Sequence, residues 1–252
     1  MEINIIPKFL DEAVTPLAQR AGNTLSSIWT IAFGGIDIYA EKTQLKRVNA
    51  LNQFKEELEQ AVSSIPEENI VEPPLHIIGP SLEASKYYFE NDELRTMFAK
   101  LIAASINKET TSNAHPSFVE IIKQLSPLDA INLKLFKDNA THPIVNYVFV
   151  TDSGGTIPHK RNTFLGSAAN TDIDLNAASI SNLDRLGLIS ISYEHHLSDD
   201  ARYTPHENEP EYRVLKEHFK LRTQNTPFCD IDIQKGIVHV TPFGENFIKL
   251  CI

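Results

Sequence analysis

The sequence contains little of what several functional classes require. Only two of its 252 residues are cysteines, Cys229 and Cys251, which excludes a disulfide framework and a four-thiolate zinc site. Basic residues are the minority, because 23 lysines and arginines stand against 33 acidic residues, for a formal net charge of −10. Broad binding to nucleic acid or anionic lipid depends on positive charge, so this balance argues against it.

Long hydrophobic runs are also absent from the sequence, and we do not expect a secretory signal. Residues 1–14 contain no basic segment and include Glu2, Asp11 and Glu12, so the default expectation is a cytoplasmic protein. Residues 21–36 are uncharged but include several Asn, Ser and Thr residues, and they fall short of the roughly 20 apolar residues that span a bilayer. For this segment, membrane association is the alternative to a buried or interface helix.

No recognisable arrangement of catalytic residues occurs. Residues 152–155 (Asp-Ser-Gly-Gly) lack the lysine of a phosphate-binding loop and are interpreted as a turn. His195 and His196 are adjacent and would point to opposite faces of a strand, which suits a solvated loop better than one metal ion. We therefore predict no catalytic residue, no metal site, no cofactor and no small-molecule substrate, and we do not expect an enzyme.

The hydrophobic pattern predicts an α+β protein that is mainly helical. Residues 1–125 form a helical region in this interpretation, with an amphipathic helix over residues 41–63 in which Leu51, Phe54, Leu58 and Ala61 share one face. Residues 66–74 contain three prolines and form an extended connector. Pro80 is expected at the first position of a helix that continues to residue 89.

Residues 126–252 have a different texture, in which short strands alternate with helices. A helix that ends at Gly187 leads into a strand over residues 188–193. The segments 228–233 and 237–240 flank Gln-Lys-Gly and are predicted to form a hairpin. This order of elements resembles the core of a winged-helix domain, so we expect a winged-helix-like domain here.

The winged-helix resemblance raises the possibility of DNA binding, with weak candidate contacts at Lys160, Arg161, Arg185 and Lys235. Residues 126–252 nevertheless contain 12 basic and 16 acidic residues, and the expected recognition helix over residues 177–186 has no net charge. Binding through several phosphates needs a basic face. Contact with another protein is therefore the favoured use of this domain, and a DNA-binding regulator is the alternative.

The candidate membrane or partner surface lies within residues 21–36. Trp29 and Phe33 are four residues apart and so share one face of a helix. The full candidate set is Leu25, Ile28, Trp29, Phe33 and Ile36. Two interpretations stay open: a helix that is buried or lies at an interface, and a segment that meets a membrane or a partner helix.

Several short runs of residues together carry a family resemblance. They are Pro73-Pro74, Gly79-Pro80, Tyr87-Tyr88, Glu93-Leu94-Arg95 and His115-Pro116-Ser117-Phe118. The resemblance is to the abortive infection alpha family of bacteria, and it is strongest over residues 66–136. It implies a role in defence against phage, and it supplies no established catalytic residues.

The hypothesis from the sequence is a non-enzymatic anti-phage protein that acts through protein contact or self-association. The alternatives are a DNA-binding regulator that uses the winged-helix region and a membrane-perturbing toxin that uses the N-terminal apolar helix.

Overall fold

The structure, a computed structural model, describes residues 7, 9–34, 41–167, 171–221 and 226–252, with the backbone alone for residues 41–45. The fold is α+β and mainly helical, as predicted. The chain divides into two compact units, Met1–Pro127 together with Asn246–Ile252, and Leu128–Glu245. In this division the last seven residues belong to the first unit. The domains predicted from the sequence, 1–125 and 126–252, place those residues in the second domain instead.

The first unit is built from helices. They are α1 (Pro16–Phe33), α2 (Glu41–Ser63), α3 (Leu75–Ser85), α4 (Asp92–Ser105) and α5 (Ser117–Gln124). Single 3-10 turns occupy Glu67–Asn69 and Thr111–Asn113.

The core of the first unit joins apolar faces of all five helices. The predicted stripe of α2 is confirmed at Leu51, Phe54 and Leu58, which are each at most 2% exposed, whereas Ala61 is only partly buried. The other helices contribute large buried side chains: Leu25, Trp29 and Phe33 from α1, Ile78 and Leu82 from α3, Phe98, Leu101 and Ile102 from α4, and Phe118 and Ile122 from α5. Burial of this apolar surface is the main stabilising contribution to the unit.

Helix α3 begins and ends earlier than the sequence predicted. It starts at Leu75, directly after Pro74, and passes through Pro80 instead of starting there. A proline disfavours the helical conformation of the residue before it mainly through that residue's Cβ, and Gly79 has none. Gly79 therefore allows the helix to continue across Pro80, and the predicted start at this proline is wrong.

The second unit contains a four-stranded antiparallel sheet in the order β2-β1-β4-β3. The strands are β1 (Thr141–Thr151), β2 (Thr156–Thr163), β3 (Ile189–Ser192) and β4 (Phe228–Val240). Helices α7 (Ile173–Arg185), α8 (Thr204–Glu207) and α9 (Pro210–Leu221) belong to the same unit. Helices α6 (Pro127–Asp138) and α10 (Pro242–Cys251) each include the point where the chain passes between units.

Strand β4 replaces the predicted hairpin over residues 228–240. It is continuous for 13 residues, and Lys235 and Gly236 pair with Val145 and Ile144 of β1. The Gln-Lys-Gly sequence has the composition of a turn, but its pairing with β1 keeps it extended. Gly236 also has no room for a side chain, because a Cβ there would lie 2.5 Å from the Tyr193 ring. The hairpin is therefore wrong, and the winged-helix interpretation stays a prediction.

One face of the sheet packs against α9 through aromatic side chains. The rings of Tyr147 and Tyr212 stack with centroids 5.0 Å apart, and Tyr203 is fully buried in the same cluster. The Tyr203 hydroxyl donates a 2.7 Å hydrogen bond to the Gly236 carbonyl, and the Tyr147 hydroxyl donates one of 2.9 Å to the His206 carbonyl. These bonds attach the segment before α9 to the sheet.

Candidate functional site

Three of the predicted surface residues of α1 are interior side chains. Leu25, Trp29 and Phe33 are 0%, 1% and 1% exposed. Trp29 stacks on Phe54 of α2 with centroids 5.3 Å apart and contacts Phe33 at 4.4 Å. In this structure these three residues therefore build the core and do not form an exposed surface.

The other two residues of the predicted surface have different outcomes. Ile28 is partly exposed, at the edge of the buried face. Ile36 lies outside the residues that the structure describes.

The opposite face of α1 is exposed and nearly free of charge. Ile31 is 82% exposed and Leu17 is 44% exposed. We call this face the outward stripe, which consists of residues spaced by three and four along the helix: Leu17, Arg20, Thr24, Ser27 and Ile31. Arg20 is the only charged residue of α1. A solvent-exposed helix face normally carries several charges, so this composition is unusual for a surface.

Two hydroxyl groups on or beside the outward stripe are directed back to the helix itself. The Ser27 hydroxyl donates to the Asn23 carbonyl and the Thr30 hydroxyl donates to the Ser26 carbonyl, both at 2.8 Å. Such bonds to the carbonyl four residues earlier satisfy the donor within the helix. The face can therefore lose water at a smaller cost than free hydroxyl groups would impose.

The start of α1 is fixed by the carboxylate of Glu67, which lies in the connector after α2. Thr15 is the N-cap, and its side chain accepts a hydrogen bond from the Ala18 amide. The carboxylate of Glu67 accepts hydrogen bonds from the amides of Val14 and Thr15, each at 3.0 Å. These interactions satisfy backbone donors near the helix start and hold α1 in one position.

Arg95, from one of the runs that carry the family resemblance, forms a buried ion pair. Arg95 of α4 is 5% exposed, and its guanidinium binds the Glu57 carboxylate at 2.8 Å and Asp92 at 2.8 Å. It also donates to the Phe89 carbonyl, while the Thr96 hydroxyl donates to Glu57. The Asp92 side chain is itself 79% exposed, so the contact with Glu57 is the one that positions α4 against α2.

The His-Pro-Ser-Phe run begins α5. The Ser117 amide donates to Nδ1 of His115, whose ring also lies 2.6 Å from the Ser117 hydroxyl. Phe118 is fully buried and meets Phe247 edge-on at 5.1 Å. These residues therefore support the packing of the helix.

The candidate nucleic-acid contacts are partly neutralised by acidic neighbours. Lys160 lies 2.8 Å from Asp174 and 3.2 Å from Glu211, and Lys235 lies 2.8 Å from Asp200. Burial acts to lower the pKa of Lys160, but its hydrogen bonds to the two carboxylates outweigh burial and raise that pKa. The hydrogen bond that the Lys235 ammonium donates to Asp200 likewise raises the pKa of Lys235.

The remaining two candidates lie apart from these pairs. Arg161 is exposed on β2, and Arg185 at the end of α7 donates to the Asn182 side chain at 2.8 Å.

The buried titratable groups include His206 and Cys251, at 1% and 0% exposed. Burial lowers the pKa of His206 to about 4, an effect that the backbone of Thr163 and of Tyr203 partly opposes. Burial raises the pKa of the Cys251 thiol far above its usual range. A neutral imidazole and a protonated thiol in such surroundings are poor proton carriers and nucleophiles near neutral pH.

Among the described residues, no three His, Cys, Asp or Glu side chains are grouped in a way that would hold a metal ion. Within the same part of the chain, no helix combines the length and the apolar character that crossing a bilayer requires.

Comparison with known proteins places the chain in a family. The model of the family described as abortive infection alpha matches residues 46–251, and the chain belongs to this family. Membership implies a role in phage defence. Searches of curated proteins and of solved structures found no match.

Proposed function

We propose that this chain is a non-enzymatic phage-defence protein that acts through protein contact, and that the outward stripe of α1 is its contact surface. The observation that carries the proposal is the composition of that stripe. It exposes Leu17 and Ile31, has Arg20 as its one charge and turns the Ser27 hydroxyl back to the helix. Interfaces are typically depleted in charge at their centre, as this stripe is.

The rest of α1 supports the same role, because the helix is held rigidly behind the stripe. Trp29 and Phe33 anchor its inner face, and Glu67 fixes its start. A preorganised helix loses little conformational entropy when a partner binds. The buried and the exposed faces of α1 therefore have separate tasks, stability and contact.

Nucleic-acid binding through the second unit has weaker support. Lys160 and Lys235 each have an acidic partner at 2.8 Å, so a phosphate would have to compete for both. The winged-helix interpretation of residues 126–252 stays a prediction and plays no part in this proposal.

The test is phage plating with a charge placed on the stripe. Ile31→Glu should abolish protection, because a buried carboxylate in an apolar contact is costly. Val214→Glu is the matched control, since Val214 is 69% exposed on α9 and also apolar. The efficiency of plating should return to the unprotected level for Ile31→Glu and stay low for Val214→Glu. Full protection by Ile31→Glu, with normal protein levels, would contradict the proposal.

A further inference from the structure

A groove runs between α3 and α5 of the first unit. Its volume is about 530 Å³, and the residues that define the α3–α5 groove are Pro80, Glu83, Ala84, Tyr87, Glu120 and Lys123. On α3, Pro80, Glu83 and Ala84 recur at steps of three and four and so share one face, and Tyr87 follows in the turn after the helix ends.

The groove is firmly built at its floor and open at its rim. The Tyr88 hydroxyl donates a 3.0 Å hydrogen bond to the Lys123 carbonyl, which ties α5 to the segment after α3, and the Tyr88 ring packs on Phe98. Beside Pro80, Gly79 leaves open space where a Cβ would stand. Tyr87 is 76% exposed at the rim, and tyrosine is a residue type enriched where interfaces gain most of their affinity.

The charges in the groove define what would fit it. Glu83 and Glu120 contribute two carboxylates against the single ammonium of Lys123. Glu120 pairs with Lys123 at 2.8 Å, and Glu83 pairs with Lys86. A carboxylate has acceptor sites for more than one donor, so each glutamate can still receive a guanidinium. The groove therefore suits an apolar helix face that presents one cation.

The outward stripe of α1 has this composition. Arg20 is exposed and stands between Leu17 and Thr24 on the stripe, and Ile31 lies about three turns beyond Arg20. Among the described residues, no ion pair of Arg20 is formed within the chain. An arginine that forms no ion pair with the described residues, on an apolar face, complements a groove with two glutamates and a tyrosine.

We propose that the α3–α5 groove of one copy of this chain receives the outward stripe of α1 from a second copy. The inference rests on the proposed function and identifies the partner of the same surface. Both surfaces belong to the first unit, so two copies can exchange them reciprocally, and the twofold arrangement closes as a dimer. Two equivalent contacts also double the area that a single helix and groove would bury.

The test is a charge exchange followed by sedimentation velocity on the full chain. Arg20→Glu places a third carboxylate in the contact, and the double variant Glu83→Arg with Glu120→Arg places Arg20 against two cations. Each variant alone should dissociate at least about tenfold more readily than the natural dimer. A mixture of the two should restore the dimer, because both contacts of the mixed pair join opposite charges.

A matched control keeps the result specific to the groove. Glu217→Arg breaks an exposed pair with Lys220 at the same three-residue spacing as Glu120 and Lys123, and it should leave the dimer unchanged. Circular dichroism on every variant verifies the helical content. A natural chain that stays monomeric, or a mixture that fails to re-form the dimer, would overturn the inference.

The outcomes separate this inference from the proposed function. If the chain is monomeric while Ile31→Glu still abolishes protection, the stripe has another partner, so the dimer is wrong and the proposed function stands. If the charge exchange restores the dimer while Ile31→Glu protects fully, the dimer is right and the proposed function is wrong.

Discussion

Trp29 of α1 lies flat against Phe54 of α2, with ring centroids 5.3 Å apart and an angle of 27° between the ring planes. Phe9 meets the same indole edge-on at 6.1 Å, and Phe33 contacts it from the next turn. The indole is therefore the centre of an aromatic cluster that fastens α1 to the rest of the first unit. This arrangement explains why a tryptophan within an uncharged segment serves stability here.

Trp29→Ala should strongly destabilise the protein. Removal of a fully buried indole leaves a cavity and forfeits its aromatic contacts, so the free energy of unfolding should fall by about 3–5 kcal/mol. Chemical denaturation measures the loss. Ile31→Ala, two residues away on the exposed face, should change stability by less than about 0.5 kcal/mol. Equal effects of the two substitutions would show that the described burial of α1 is wrong.

Gly22→Ala should also destabilise the first unit, although alanine is the better helix former. A Cβ at Gly22 would lie 2.2 Å from the Phe9 carbonyl oxygen, a backbone atom that cannot rotate away. We expect a lower melting temperature and a loss of about 1–3 kcal/mol, as for other overpacked positions. Ser27→Ala on the outward stripe is the control and should keep the melting temperature within a few degrees. A stabilised Gly22→Ala protein would rule out this close approach.

Arg95→Met should remove the buried ion pair while it preserves much of the side-chain volume. Glu57 then loses its guanidinium partner in a position where its side chain is only 30% exposed. The free energy of unfolding should fall by about 2–3 kcal/mol. Arg95→Lys should recover only part of this loss, because an ammonium cannot reproduce the contacts to Glu57, Asp92 and the Phe89 carbonyl together. Full recovery with lysine would mean that charge alone matters here.

Stability should depend on pH through His206. Its folded pKa of about 4 lies below the usual value of 6.5, so the unfolded chain binds the proton more tightly. Stability from this residue is present above about pH 6.5 and is lost as the pH falls toward 4, by on the order of 3 kcal/mol. Urea denaturation across this range measures the slope. His206→Gln should flatten it, and an unchanged slope would assign the effect to other groups.

The sequence predicted the helical stripes well where one apolar face dominates. The α2 stripe of Leu51, Phe54 and Leu58 is an example. On α1 both faces carry apolar residues, so spacing alone could not tell that Trp29 is buried and Ile31 exposed. The decisive contact partner, Phe54, lies far along the chain.

The same limit applies to the sheet and to the groove. Lys235-Gly236 has the composition of a turn, and only its pairing with β1, some ninety residues earlier, shows that it is a strand. The α3–α5 groove depends on the passage of α3 through Pro80 and on the packing of α5 beside it. Neither feature has a local sequence signal.

The most direct measurement of the central claim is site-specific photo-crosslinking in infected cells. A photoreactive amino acid at Ile31 should form a covalent adduct with a protein, whereas the same group at Val214 should not, although both sites are exposed and apolar. Both labelled chains must still protect against phage for the comparison to count. The account predicts an adduct at position 31 alone. Intact protection with no adduct at position 31, or with equal adducts at both positions, would contradict it.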